Sequence, residues 1–297
     1  MTPEAILSHE PRVLTEAQRG SYFERGYVMV ESLISDDWLA RLNRATEEYL
    51  ERSRSLSEGG DMFDLAPGHC AERPKVRRLK WPDTDPLFWE YANDVIADVA
   101  ADLVGPDVTF HHSKLNFKWP TDGESNSVDW HQDIPFYPHT NYNVLAIGTY
   151  LHDTTDEHGP LMVLPGSHNG PLYEHFDKSR NWTGHLRSDD AAGLNEAEAV
   201  TLSGPRGSIT VHSARLVHAS RPAQAAGMRP LLINSYAAAD AYPYTTGAHR
   251  TENYRKLVRG EPARWAYHDA RPCPIPPDWS QGYTSIYAAQ AGESARR

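Results

Sequence analysis

After Pro106 the chain changes texture, and that change limits the folds open to it more than any other feature. Short runs rich in β-branched and aromatic residues follow one another: Val108 to Trp119, Val144 to Leu151, Leu161 to Leu164, Ser208 to His212 and Leu231 to Tyr236. Gly, Pro, Asn and Asp fill the gaps between them, which is the pattern of a sandwich or barrel. Helical interruptions are too few for a doubly wound sheet, so a mainly β, jelly-roll (cupin-like) core is expected. With 297 residues and 39% hydrophobic content the chain can bury one sizeable core. We expect a single domain over residues 1–297: a mostly helical part at 1–106, the jelly roll with its lid loops at 107–240, and an extension at 241–297.

Ahead of Pro106 the pattern is helical. Thr15 with Gln18 makes a capping box, and Ser35 precedes a periodic run through Leu39, Leu42, Thr46 and Tyr49 that should stop by Gly59-Gly60. Asp85-Pro86 is a cap and first-turn pair; Leu87, Tyr91, Val95, Val99 and Leu103 then recur until Gly105-Pro106 ends the helix. Three helices are therefore expected before the sheet begins. Three long connections, Ser57 to Trp81, Gly170 to Ala199 and Tyr242 to Pro277, carry Phe63, Trp81, Tyr173, Trp182, Tyr244 and Trp265. That aromatic content favours ordered packing, part of it as a roof over an active site.

The chemistry lies within the β-rich part. His131-Gln132-Asp133 sets an imidazole and a carboxylate two residues apart on one extended segment, so both can face one metal from the same side. A distant histidine would complete three ligands on one face of an octahedral ion and leave three positions open, an arrangement suited to Fe(II). His218 opens the run His218-Ala219-Ser220, and Arg229 follows eleven residues later with a guanidinium suited to the far carboxylate of a bound diacid. His212 competes for the third ligand position, although no Arg stands at the matching distance from it. Arg215 and Arg221 are alternatives to Arg229, but alternation along a strand turns Arg221 away from the Ser220 face. His111 and His112 share a strand on which at most one can face inward, and His152, His158 and His175 sit in turn-like surroundings.

Taken together, Trp130-His131-Gln132-Asp133, the run Gly159-Pro160-Leu161-Met162-Val163-Leu164-Pro165-Gly166-Ser167-His168, and His218-Ala219-Ser220 with Arg229 resemble the phytanoyl-CoA dioxygenase family of Fe(II)- and 2-oxoglutarate-dependent oxygenases. The resemblance spans roughly Phe110 to Ala239. It implies a double-stranded β-helix with the metal at one open end and flanking amino-terminal helices. It also implies His131, Asp133 and His218 as catalytic iron ligands, and Arg229 with Ser220 as holders of the 2-oxoglutarate C5 carboxylate. Gln132 and Lys118 are further candidates for cosubstrate contacts; Lys114 and Asn116 share the face of Lys118, so any of the three is eligible to point inward. The implied reaction uses O2, converts 2-oxoglutarate to succinate and carbon dioxide, and hydroxylates an unactivated C–H bond. Iron halogenases of related fold have a small residue in the carboxylate position, so Asp133 favours hydroxylation. Thr149 stands on the next strand, where some relatives have an aromatic.

Phe136 and Tyr137 follow the ligand motif and are candidates for the substrate pocket, or equally for core packing. The expected substrate is a small molecule such as an amino-acid derivative or secondary metabolite. A non-catalytic jelly-roll binding protein or a metal-dependent cupin isomerase is the alternative, but neither needs Asp133 and Arg229 together. The formal charge of −11 is spread along the chain without a basic stripe, which argues against nucleic acid or an anionic membrane as partner. Cys70 and Cys273 suggest neither a disulfide framework nor a zinc site. No apolar run approaches the ~20 residues needed to span a bilayer, and the start Met1 to Leu7 lacks the pattern of an export signal. A cytoplasmic protein is expected.

Overall fold

The computed structural model describes residues 1–120, 126–245, 251–279 and 286–290, so parts of the 241–297 extension lie outside it. Twelve strands are found among these residues: β1 (Tyr27–Val30), β2 (Phe63–Leu65), β3 (Val76–Lys80), β4 (Val108–Lys118), β5 (Val128–His131), β6 (Val144–Tyr150), β7 (Leu161–Val163), β8 (Val200–Thr201), β9 (Ile209–Ser213), β10 (His218–Ser220), β11 (Arg229–Ala238) and β12 (Leu257–Arg259). They form two antiparallel sheets that make a jelly-roll core. The larger runs β1-β9-β6-β11-β4-β3-β2, with β12 also pairing to β4, and the smaller runs β5-β10-β7-β8.

Period-two alternation gives the larger sheet two different faces. Leu115 and Phe117 on β4, Leu145 and Ile147 on β6, Ile209 and Val211 on β9, and Leu232 on β11 belong to the hydrophobic core beneath the helices. Their strand neighbours Lys114, Asn116, Lys118, Ala146, Gly148, Thr210, His212, Leu231 and Ile233 instead line a cavity between the sheets. Fully burying a Leu, Ile or Phe stabilises by about 1.5–3 kcal/mol. A slip of one residue would put the Lys114 row under the helices, so register is strongly fixed.

Helix α1 (Pro3–Leu7) opens the chain, and α2 (Glu16–Arg25) and α3 (Asp36–Ser53) start at the expected caps, Thr15 with its full box and Ser35. The third expected helix is broken in two, α4 (Pro86–Ala92) and α5 (Val95–Val104). The break is held from outside: Arg259 Nη2 donates to the carbonyls of Asn93 at 2.9 Å and Asp94 at 3.0 Å, and Trp38 Nε1 donates to the Asp94 carboxylate. Tyr91 joins Thr149 through their hydroxyls at 2.7 Å, and Tyr236 donates to Ala92 O at 2.7 Å, tying these helices to the outer face. The expectation of helices alone before the sheet is also corrected, because β1 pairs with β9 and the Ser57–Trp81 connection contains the β2–β3 hairpin that extends the sheet beyond β4. Two short helices come later, α6 (Ser188–Ala192) and α7 (Ile286–Gln290). No helix among the described residues is long and apolar enough to cross a membrane.

Candidate active site

In the smaller sheet the antiparallel register sets His218 of β10 directly opposite His131 at the end of β5. Side chains facing each other across such a pair have Cβ atoms about 4.5–5.5 Å apart, and the two imidazole centroids are 4.0 Å apart. Asp133 lies two residues past the strand, where Ile134 N donates to Ala214 O at 2.8 Å and holds the turn. One ligand atom from each of His131, Asp133 and His218 lies within 4.8 Å of the others, and all three residues are buried.

Backbone carbonyls decide which ring nitrogen carries the proton. His131 Nδ1 lies 2.8 Å from Asp129 O and His218 Nδ1 lies 2.9 Å from Leu216 O. A carbonyl only accepts, so both protons sit on Nδ1 and both Nε2 lone pairs are available to a cation. Burial keeps the rings neutral: His131 is lowered to about 4 against the opposing pull of Asp133 and of its own bond to Asp129, and His218 is held well below the ordinary range.

His212, the rival for third ligand, has another task. Its Nε2 lies 3.2 Å from Asp133 Oδ2, and a carboxylate only accepts, so that nitrogen carries a proton and offers no lone pair to a metal. Burial raises the proton affinity of Asp133, but the hydrogen bond from His212 and the positive charge of Lys114 act against it, leaving the carboxyl well below its usual range. Two neutral imidazoles with fixed lone pairs and one ionised carboxylate fit a divalent iron.

Farther from the ligands, His139 and His175 are lowered by burial to about 4 and about 3. A histidine that is neutral in the fold and titrates near 6.5 when unfolded takes up its proton first in the unfolded chain. The stability it contributes is therefore complete above about pH 6.5 and is lost as pH falls towards the folded value, on the order of 3 kcal/mol for each ring by about pH 4. Urea midpoints of the metal-free protein should fall steadily below pH 6.5; a flat profile down to about pH 5 would show that these rings are solvated.

One end of the cavity is cationic. Lys118 and Arg229 are register partners on β4 and β11, and both are nearly inaccessible, at 2% and 3%. Lys118 Nζ donates to Ser220 Oγ at 2.8 Å and to Arg221 O, while Arg229 Nη2 donates to Gly159 O at 2.8 Å. Burial and the neighbouring guanidinium push the Lys118 ammonium well below its ordinary range, and burial lowers Arg229 too. Arg229 Nε has no partner among the described residues. Two buried cations with an orphaned donor fit the carboxylate of a bound acid.

Of the other expected residues, Phe136 and Tyr137 line the cavity. Gln132 does not join them: its Nε2 donates to Pro171 O at 3.1 Å and Arg215 O at 2.7 Å, and its Oε1 accepts from Tyr173 N at 2.9 Å. Those bonds turn the amide away from the cavity, a correction to its role as a cosubstrate contact. Thr149 points to the helices, so β6 presents only Ala146 and Gly148 inward. Arg215 lies over the Tyr142 ring at 4.5 Å and Arg221 is exposed, so neither reaches the clamp. His168 bonds to Phe23 O at 3.0 Å, as suits a structural turn. From the long connections Trp182 packs on Phe136 at 5.0 Å, whereas Tyr244 and Trp265 are exposed.

Both His111 and His112 line the cavity, against the expectation of one at most. The β4–β11 register shifts between Ser235, paired to His112, and Tyr236, paired to Phe110, so His111 is an extra residue in a β-bulge. Sequence reading missed Arg78, Trp279 and Tyr287, which also line the site. Arg78 lies in a stretch read as a connection, and the other two lie in the extension. Arg77 and Arg78 are adjacent on β3, so alternation alone left either one eligible to face inward.

The model of the family described as Phytanoyl-CoA dioxygenase (PhyH) matches residues 22–231, a span holding all three metal-facing residues and Arg229. The chain belongs to the phytanoyl-CoA dioxygenase family. It is 30% identical over 245 residues to a "Probable alpha-ketoglutarate-dependent hypophosphite dioxygenase" of Stutzerimonas stutzeri, covering 81% of this chain and 84% of that protein. It is 28% identical over 237 residues to an L-proline trans-4-hydroxylase of Streptomyces griseoviridis, covering 72% and 83%. In structure it is similar to EctD from S. alaskensis with bound Fe, with a TM-score of 0.66, 24% identity and coverage of 89% and 91% of the two chains. This family member is a non-haem iron, 2-oxoglutarate-dependent dioxygenase with an HxD…H triad, and Fe(II) and 2-oxoglutarate are its cofactors.

Proposed function

We propose that this dioxygenase hydroxylates an unactivated C–H bond of a small polar molecule, an amino-acid derivative or secondary metabolite in kind, and releases succinate and carbon dioxide. In this reading His131, Asp133 and His218 hold the iron; Lys118, Ser220 and Arg229 hold the C5 carboxylate of 2-oxoglutarate. The observation that carries it is one cavity containing both a neutral-imidazole and carboxylate donor set and a pair of buried cations lacking an anion. When bound, iron and the keto acid supply an oxidant made by coupling oxidative decarboxylation to O2.

The protein's own residues do the positioning. The carbonyls of Asp129 and Leu216 keep the two Nε2 atoms aimed inward, and His212 holds one oxygen of Asp133 so that the other is left to the metal. The clamp fixes where the keto acid lies along β4 and β11. Phe136, Trp279 and Leu231 give the walls an apolar surface that excludes water from a reactive centre. The relatives that bear the names of hypophosphite and L-proline enzymes support a substrate that is small and polar. We take residues 1–297 as one oxygenase unit. A cytoplasmic setting is in keeping with two free cysteines, Cys70 and Cys273.

The test is succinate formation from 2-oxoglutarate by the iron-loaded protein in air, followed across a panel of small polar compounds. A compound that raises succinate yield one-for-one with a hydroxylated product supports the reading. If 2-oxoglutarate does not bind the iron-loaded protein, the reading fails.

A further inference from the structure

Two of the three metal-facing residues are separated by a single residue, and what holds that residue comes from outside the sheet. β5 ends the smaller sheet beside β10, and His131 and Asp133 flank Gln132, which is fully buried. Peptide units are planar, so the directions in which the two ligand side chains leave the backbone depend on few torsions, those at residues 131, 132 and 133. Anchoring the N–H of Gln132 fixes the plane of the unit that joins it to His131.

That anchor is His175. Gln132 N donates to His175 Nε2 at 3.1 Å, and Leu186 N donates to Trp130 O at 2.9 Å. The Gly170–Ala199 connection therefore binds the backbone on both sides of His131, with an imidazole taking the place of a backbone carbonyl in one of the two bonds. Alternate residues of the same connection hold the Gln132 side chain: Pro171 O accepts from its Nε2 at 3.1 Å, and Tyr173 N donates to its Oε1 at 2.9 Å. A buried backbone N–H is costly to leave unpaired, so the His175 lone pair is a requirement of this backbone path.

The imidazole is itself fixed. Its Nδ1 lies 3.0 Å from Tyr173 O; a carbonyl only accepts, so the proton sits on Nδ1 and the Nε2 lone pair faces Gln132. The ring is 1% exposed and stacks on Trp182, with centroids 5.8 Å apart and 24° between the planes. Thr183 N and Oγ1 donate to the His175 carbonyl at 2.9 Å and 3.0 Å. Phe136, a wall of the cavity, makes edge contacts with His175 at 5.8 Å and with His131 at 6.2 Å. His175 itself does not line the cavity, so it acts through its neighbours.

We propose that His175 is a positioning residue for the iron: by accepting the hydrogen bond of the Gln132 N–H, it holds His131 and Asp133 at the spacing the metal needs, and through Phe136 it ties that spacing to the cavity wall. This deepens the reading above and rests on it, since it takes His131, Asp133 and His218 as the ligands. The packing of Trp182 keeps the ring in place, and the lone pair on Nε2 sets the peptide.

The experiment is an anaerobic iron(II) titration of the metal-free protein, comparing wild type with His175→Phe and His175→Gln after circular dichroism has shown each to be folded. Cobalt(II) absorption gives a second reading, of ligand geometry. His175→Phe keeps a ring against Trp182 and Phe136 but has no acceptor, so iron affinity should fall at least about tenfold and the cobalt bands should shift. His175→Gln offers an amide oxygen to the same N–H and should bind iron nearly as the wild type does. A merely structural role would lower the stability of both variants and leave the iron dissociation constant of the folded protein alone. Unchanged iron affinity in folded His175→Phe therefore overturns the proposal, as does a folded His175→Gln protein that binds iron as weakly as His175→Phe. In the wild type, with zinc in place of iron, the nitrogen NMR shifts of His175 should place its proton on Nδ1; a proton on Nε2 would overturn the assignment even if His175→Phe does not fold. Wild-type protein that binds no iron would be a different result, overturning the functional reading instead.

Discussion

Alanine at His131, Asp133 or His218 is expected to abolish coupled turnover and to release iron on dialysis. Each replacement removes one of three protein bonds to the metal, and losing even an outer partner of a ligand costs about 10–100-fold in affinity or activity, so a ligand itself should exceed the upper figure. His212→Ala provides the internal contrast. It removes the donor 3.2 Å from Asp133 Oδ2 but no metal bond, and should weaken iron binding within that 10–100-fold window while leaving measurable turnover. Iron content and succinate yield read both effects. Full activity in any of the three alanine variants would remove that residue from the ligand set; a His212→Ala protein as inert as His218→Ala would mean that His212 binds the metal.

Arg229→Ala should act on the cosubstrate and spare the metal. The guanidinium is fully enclosed and shares its end of the cavity with Lys118. Truncating one partner of a desolvated charge pair costs about 2–5 kcal/mol, equivalent to roughly 30-fold to several thousand-fold in 2-oxoglutarate affinity. Iron binding should be unchanged, and turnover should return in part at high 2-oxoglutarate. Arg229→Lys should rescue poorly, because the native side chain donates to Gly159 O from one nitrogen while Nε is left for a ligand, and an ammonium lacks that fork. An unaltered 2-oxoglutarate dissociation constant would relocate the clamp.

How much could be read in advance varied with how local the physics is. The caps at Thr15, Ser35 and Asp85 depend on residues three or fewer positions apart, and each was legible. The five β-rich runs likewise became strands within a residue or two of their expected limits. The helix expected to run from Asp85 to Gly105 was misread because its break is satisfied by Arg259, more than 160 positions downstream. Gln132 was misread for a similar reason: its position within the motif suggested the site, but its partners come from Pro171, Tyr173 and Arg215. The bulge at His111 has no signature in its own strand, since it exists only relative to the register of β11.

By itself the sequence determined the class of core and, through its resemblance to a family, the three metal-facing residues, because β-rich texture and motif order act along the chain and need no knowledge of neighbours. It also narrowed the inward lysine to one face of β4, and there its authority ended. Only the tertiary structure decided that Lys114, Asn116 and Lys118 all line one cavity, that His212 hydrogen-bonds Asp133, and that Arg78 and a bulged histidine pair join them. These outcomes depend on which strands are paired and how the sheets face each other. Burial, charge balance and hydrogen-bond satisfaction are properties of that assembled space.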